Sequence, residues 1–151
     1  MITSFNGNSE HKLDSKNRVC IPADFRKWDS EEDNHTFVIT KGLGDFLYIY
    51  PKPEWDTMIE DLISKLSLHK PKHATYLRTI TSQSKTVQTD NNGRITIPKY
   101  LREYANINKN VTFIGMVNRI ELWDTQNYSN HKPSHLSPGD DYFSDIDEIN
   151  T

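Results

Sequence analysis

The sequence predicts a mostly β, α+β protein in which two copies of one short unit share a core and flank a helical insert. Three observations lead there. The pattern Asp-x-x-x-Arg-x-x-x-Pro-x-x-x-Arg occurs twice. Each copy joins the period-two alternation of a half-buried strand to a helical turn begun by proline. Between the copies the apolar spacing becomes that of a helix.

The first copy reads Asp14-Ser-Lys16-Asn17-Arg18-Val-Cys20-Ile-Pro22-Ala-Asp-Phe-Arg26. The second reads Asp90-Asn-Asn-Gly93-Arg94-Ile-Thr-Ile-Pro98-Lys-Tyr-Leu-Arg102, an offset of 76 (90 − 14). Similarity continues at an offset of 73, which aligns Gly42 with Gly115, Leu47 with Ile120, Ile49 with Leu122, Tyr50 with Trp123 and Trp55 with Tyr128. The step from 76 to 73 puts three extra residues in the first copy, and the polar stretch Asp29–His35 is where we place them. Repetition of this kind means one structural unit used twice.

In each unit a strand (Val19-Cys20-Ile21, then Ile95-Thr96-Ile97) leads to a helical turn over 22–26 or 98–104. Pro22 and Pro98 suit the first helical position, because the N–H they lack would have no helical partner there. A strand pair follows: 36–40 with 47–50 around Gly42–Gly44, and 111–114 with 119–123 around Met116–Asn118. Between the units, Trp55, Met58, Ile59, Leu62, Ile63 and Leu66 share one helical face, with Pro53 near the start. Pro71 ends this helix or starts a second one carrying Tyr76, Leu77 and Ile80. The divisions are a first repeat over 8–53, an amphipathic insert over 54–82, a second repeat over 83–128 and an acidic tail over 129–151. Units of about 40–50 residues are marginal as separate cores, so the halves should share one, related by a pseudo-two-fold axis, in a small barrel or sandwich. The insert's apolar stripe is longer than so small a body requires, which points to contacts between subunits as well as cover.

Composition excludes several classes. No apolar run approaches the ~18–20 residues of a membrane helix, and the first residues lack the apolar stretch of a secretory signal. A single cysteine, Cys20, leaves no disulfide framework and no multi-cysteine zinc site, and a cytoplasmic location is the default. Net charge is −3, so the chain is not a bulk basic nucleic-acid binder. Residues 129–151 hold five acidic groups and one lysine, a net of −4, which leaves +1 (17 − 16) for residues 1–128. Nucleic-acid binding must therefore come from a local cluster or from several copies together. Residues 131–151, polar and net acidic, are expected to be mobile and to oppose DNA binding weakly, the alternative being that Tyr142, Phe143 and Ile146 dock.

No catalytic constellation emerges. The six histidines are scattered, Cys20 has no activating neighbour in sequence, and no phosphate-cradling glycine loop occurs. We therefore expect no enzyme, no cofactor and no metal. In the repeated motif, Asp14 and Asp90 suit the fixing of a turn by side-chain oxygen, and Pro22 and Pro98 the start of a helical turn. Arg26 and Arg102 suit pairing with a carboxylate or a helix-end carbonyl. Asn17 aligns with Gly93 one step before the arginine and is expected in a left-handed turn. Arg18 and Arg94 stand at the mouth of a strand, with Lys16 nearby, where guanidiniums can bind phosphate or guanine.

With Leu47-Tyr-Ile-Tyr50-Pro51, Glu54-Trp55, Arg102-Glu-Tyr-Ala105 and Ile120-Glu-Leu-Trp123-Asp124, the two motif copies resemble the MraZ family of bacterial transcriptional regulators, built from two SpoVT-AbrB-type repeats. The likeness spans about residues 8–128. It implies a swapped-hairpin AbrB-like β-barrel with both halves in one chain, in a cytoplasmic, nucleoid-associated protein. It also implies binding to double-stranded DNA at promoter repeats upstream of the division and cell-wall gene cluster, including the chain's own operon, by a ring-like homo-oligomer. The family's DNA-facing positions map to Lys16, Arg18 and Arg94. Asn17 departs from the family's usual glycine. The alternative is an interaction module of the AbrB-like antitoxin type. Such proteins usually carry one repeat and a toxin-binding tail, so two repeats around a helical insert favour the regulator.

Overall fold

Period two decides which side chains meet. Phe37, Ile39, Leu47 and Ile49 join one core cluster, while Val38, Tyr48 and Tyr50 join another on the opposite face of the same strands. In the computed structural model, which describes residues 5–26 and 35–131, these strands lie at the centre of one antiparallel sheet. Of the acidic tail expected over 129–151, residues 129–131 are instead helical, and the residues from 132, with all of the Asp29–His35 stretch except His35, lie outside the described residues.

The first repeat supplies β1 (Asn8–Lys12), β2 (Arg18–Cys20), a 3-10 turn (Ala23–Arg26), β3 (Thr36–Lys41) and β4 (Leu47–Pro51). The insert forms α1 (Lys52–Lys65) and α2 (Pro71–Ser82). The second repeat supplies β5 (Lys85–Gln88), β6 (Arg94–Thr96), α3 (Lys99–Tyr104), β7 (Asn110–Met116) and β8 (Arg119–Asp124), and α4 (Thr125–His131) follows. Six strands pair in the order β1-β7-β8-β4-β3-β5, and β2 pairs with β6 in a separate ribbon. This is the predicted α+β class. The six-stranded ladder stays open, with β1 and β5 at its edges, and the ribbon closes the core by packing rather than by hydrogen bonds to the sheet.

The repeats exchange strands. β1 adds to β7 of the second repeat, and β5 adds to β3 of the first. The two central pairings are self-symmetric. Tyr48 faces Glu121 (48 + 73) between β4 and β8, and Val19 faces Ile95 (19 + 76) between β2 and β6. The pseudo-two-fold axis passes through both pairs, as the repeat arithmetic requires.

Register refines the alignment. Val87 pairs with Phe37, and its counterpart His11 (87 − 76) pairs with Val111, so β3 and β7 are offset by 74. The counterpart of Gly115 is therefore Lys41, not Gly42. Two extra residues precede β3, and the third lies in the β3–β4 turn instead of the Asp29–His35 stretch. Gly115 is required for its own reason: a Cβ there would lie 2.6 Å from the Asn6 backbone nitrogen.

One face of the sheet is sealed by Val19, Ile21, Ile95 and Ile97 of the ribbon region, Phe25 of the 3-10 turn, and Leu101 and Ala105 of the α3 region. On the other, Trp55, Met58 and Ile59 of α1 cover Val38, Tyr48 and Tyr50. Pro71 starts α2, and α1 has already ended at Lys65. The Ser67 amide donates to His73 Nδ1 at 2.8 Å and ties the two helices together. α2 buries no residue fully, although Ile80 reaches the α1 cluster.

Candidate nucleic-acid interface

Each motif begins with a turn that its aspartate builds. Asp14 Oδ1 accepts the backbone N–H groups of Lys16 and Arg18, both at 2.9 Å. Asp90 Oδ1 accepts those of Asn92 at 2.9 Å and Arg94 at 3.0 Å. The second carboxylate oxygen accepts the arginine Nε, at 2.7 Å for Arg18 and 2.9 Å for Arg94. The backbone N–H of the arginine is the main influence holding each carboxyl below the usual carboxylate range, against partial burial that pushes it up. Each guanidinium is thus aimed through its inner nitrogen, and its terminal nitrogens are left to donate elsewhere.

The turns close on one another. The Ile21 amide donates to the Gly93 carbonyl at 2.9 Å, and the Ile97 amide donates to the Asn17 carbonyl at 3.0 Å. Arg94 Nη1 also approaches Asp14 Oδ2 at 3.7 Å, so one aspartate touches both arginines. In the ribbon register, Arg18 faces Thr96 and Cys20 faces Arg94, while Val19 and Ile95 are buried. Alternation puts both arginines on the outer face. Lys16 stands exposed in the first turn. Cys20 shares that face, its thiol 3.5 Å from the Asn92 carbonyl oxygen.

The other motif residues support the turns. Asn17 and Gly93 have φ of 59° and 75°, the left-handed region expected of both. The prolines stand one residue ahead of the first helical position expected of them: Pro98 is the N-cap of α3, and Pro22 precedes the 3-10 turn, its carbonyl accepting the Phe25 amide at 2.9 Å. The partners expected for the last arginines need correction. Arg102 Nε donates at 3.0 Å to the Ile97 carbonyl, at the exit of a strand rather than at a helix end. Arg26 packs beneath the second turn, where a Cβ on Gly93 would lie 2.6 Å from Nη1, and its Nε is buried without a hydrogen-bond partner. The contact between Arg94 and Asp14, and that between Arg26 and Gly93, cross between repeats that are far apart in sequence, so no local spacing could reveal them.

Among the described residues, no group of three or more His, Cys, Asp or Glu gathers to hold a metal, and no helix is long and apolar enough to cross a membrane.

Strand exchange, self-symmetric pairing and two aspartate-held arginines define a duplicated α+β domain with one ribbon face built by both copies. The chain belongs to the MraZ family: the family model described as "MraZ protein, putative antitoxin-like" matches residues 4–79 and 80–134. The chain is 38% identical over 132 residues to the "Transcriptional regulator MraZ" of Clostridium tetani, covering 87% of this chain and 89% of that one. Identity to the protein of the same name from Clostridium acetobutylicum is also 38%, with the same coverage. For the one from Caldanaerobacter subterraneus subsp. tengcongensis it is 40% over 128 residues, 85% of this chain and 86% of that one. These relatives are named as regulators, and the family is not one of enzymes.

Proposed function

We propose that the chain is a transcriptional regulator that binds double-stranded DNA through the outer face of the β2–β6 ribbon. Arg18 and Arg94 make the contacts, assisted by Lys16. The observation that carries this reading is the pairing of the two motifs: both arginines lie on one face, each held through Nε by its own aspartate. A guanidinium fixed in this way presents its terminal donors to guanine or to phosphate without losing its own freedom on binding. The names of the relatives support the regulatory role.

The DNA is most simply the promoter region upstream of the chain's own operon, within the division and cell-wall gene cluster and carrying repeated sites. One chain offers few contacts, so a homo-oligomer, arranged as a ring, supplies the avidity. The insert supports such assembly, with Ile63, Leu68 and Tyr76 all exposed.

A fluorescence-anisotropy titration on the chain's own upstream duplex tests the reading. Arg18→Ala and Arg94→Ala should each weaken binding in a folded protein of unchanged mass, by ~1–3 kcal/mol where a bidentate guanine contact is lost. Arg26→Ala and Arg102→Ala should lower stability instead. Wild-type affinity in the first pair of variants would overturn the assignment.

A further inference from the structure

Charge on the ribbon sets a limit. Arg18 and Arg94 are formally cancelled by Asp14 and Asp90, which lie against them. The ribbon can orient donors, but it adds no net positive charge, and affinity for the DNA backbone requires neutralisation of phosphates. The positive charge must sit beside it.

Among the described residues, that charge gathers beside one turn. Lys12 ends β1, and Lys109 accepts the Leu13 amide on its carbonyl at 2.8 Å. Asn108 and Lys109 line both a shallow cleft with Asp14, Ser15 and Asn17 and a neighbouring cleft with Lys12, so the surface runs unbroken from the first turn to both lysines. Lys12, Lys16 and Lys109 are exposed and form no ion pair among the described residues, although Glu10 and Asp124 line the second cleft, Asp124 being buried and accepting the Asn108 and Asn127 amides. The pseudo-two-fold shows what the other side holds. Lys12 and Lys16 correspond to Gln88 (12 + 76) and Asn92 (16 + 76). Lys109 corresponds to His35, because the Thr89 amide donates to the His35 carbonyl at 3.0 Å as Leu13 does to Lys109.

We propose that the two halves of the interface are unequal: Lys12 and Lys109, with Lys16, form a phosphate anchor beside the first turn, and among the described residues the second turn has no counterpart of it. The first half holds the DNA backbone and the second contributes hydrogen bonding without charge. Each chain therefore docks in one polarity on its DNA, despite its internal symmetry. This rests on the DNA-binding reading above and adds two contact residues to it.

The test measures binding of the full chain to its own upstream duplex and to a scrambled duplex across a salt series. Lys12→Ala with Lys109→Ala should weaken both duplexes by the same factor. It should also flatten the slope of log affinity against log salt by about 0.9 for each lysine removed per bound chain. Lys85→Ala, which removes an exposed charge from β5, the counterpart of β1 on the other side, should leave the slope unchanged. An unchanged slope in the Lys12/Lys109 variant, or an equal change per lysine in the Lys85 variant, would overturn the proposal while leaving Arg18 and Arg94 as contacts. Failure of the wild-type chain to bind either duplex would sink both readings together.

Discussion

Asn17 and Gly93 share a conformation but not a cost. At Gly93 the backbone is left-handed with φ of 75°, and the Arg26 guanidinium packs where a side chain would begin. Gly93→Ala should therefore lose about 1–2 kcal/mol from the backbone alone, read as a shift in the denaturant midpoint. Asn17 tolerates the same region through its short polar side chain, and Asn17→Gly should change stability by only a few tenths of a kcal/mol. The aspartates set a second expectation. Their carboxyls lie below the ordinary range in the folded protein, so the stability they contribute is complete above that range and is lost as pH falls through the depressed values. Asp14→Asn with Asp90→Asn keeps an acceptor for the turn amides and removes the charge. This variant should be less stable at neutral pH and should lose less stability on acidification, measured by urea unfolding from pH 7 down to pH 3.

At the scale of elements, the insert behaves as two different helices. α1 fixes itself through Trp55, Met58 and Ile59 on the outer sheet face, an arrangement extended by the contacts of Tyr50 with Trp55 and Tyr48. Past Ile59 the stripe runs off the sheet, so that Leu62 is half-buried and Ile63 is 45% exposed. An apolar stripe carried this far into water is a cost unless another surface covers it. Ile63→Asp should lower the mass seen in light scattering while the thermal midpoint of the subunit stays near that of the parent. Global unfolding, or an unchanged mass, would assign the stripe to the fold of one chain.

At the scale of the molecule, strand exchange makes the two repeats one body. β1 has its partner in the second repeat and β5 has its partner in the first, while β4 and β8 join the halves at the centre. Each half would leave strand edges and an apolar face uncovered without the other, which is the physical answer to repeats too small for separate cores. The same axis brings the two arginine turns onto one ribbon. Among the described residues, Lys12, Lys16 and Lys109, scattered along the chain, gather beside the first of them.

Local chemistry was legible without coordinates. The aspartate turns, the proline-started helical turns, the left-handed Asn17, the alternating strands and the helical stripe depend on residues within a few positions of each other, and spacing records them. The repeat offsets also carried the pseudo-symmetry, because a duplicated unit must fold alike in both copies. Tertiary structure alone decided the rest. Pairing register divided the three extra residues between two loops, because loop length leaves no trace in motifs that match on either side. Contacts across the axis placed Arg26 beneath Gly93, Arg94 beside Asp14 and Lys109 beside Leu13. Those pairs are 67, 80 and 96 residues apart (93 − 26, 94 − 14, 109 − 13), and at such separations only the closed fold determines which charges share a surface.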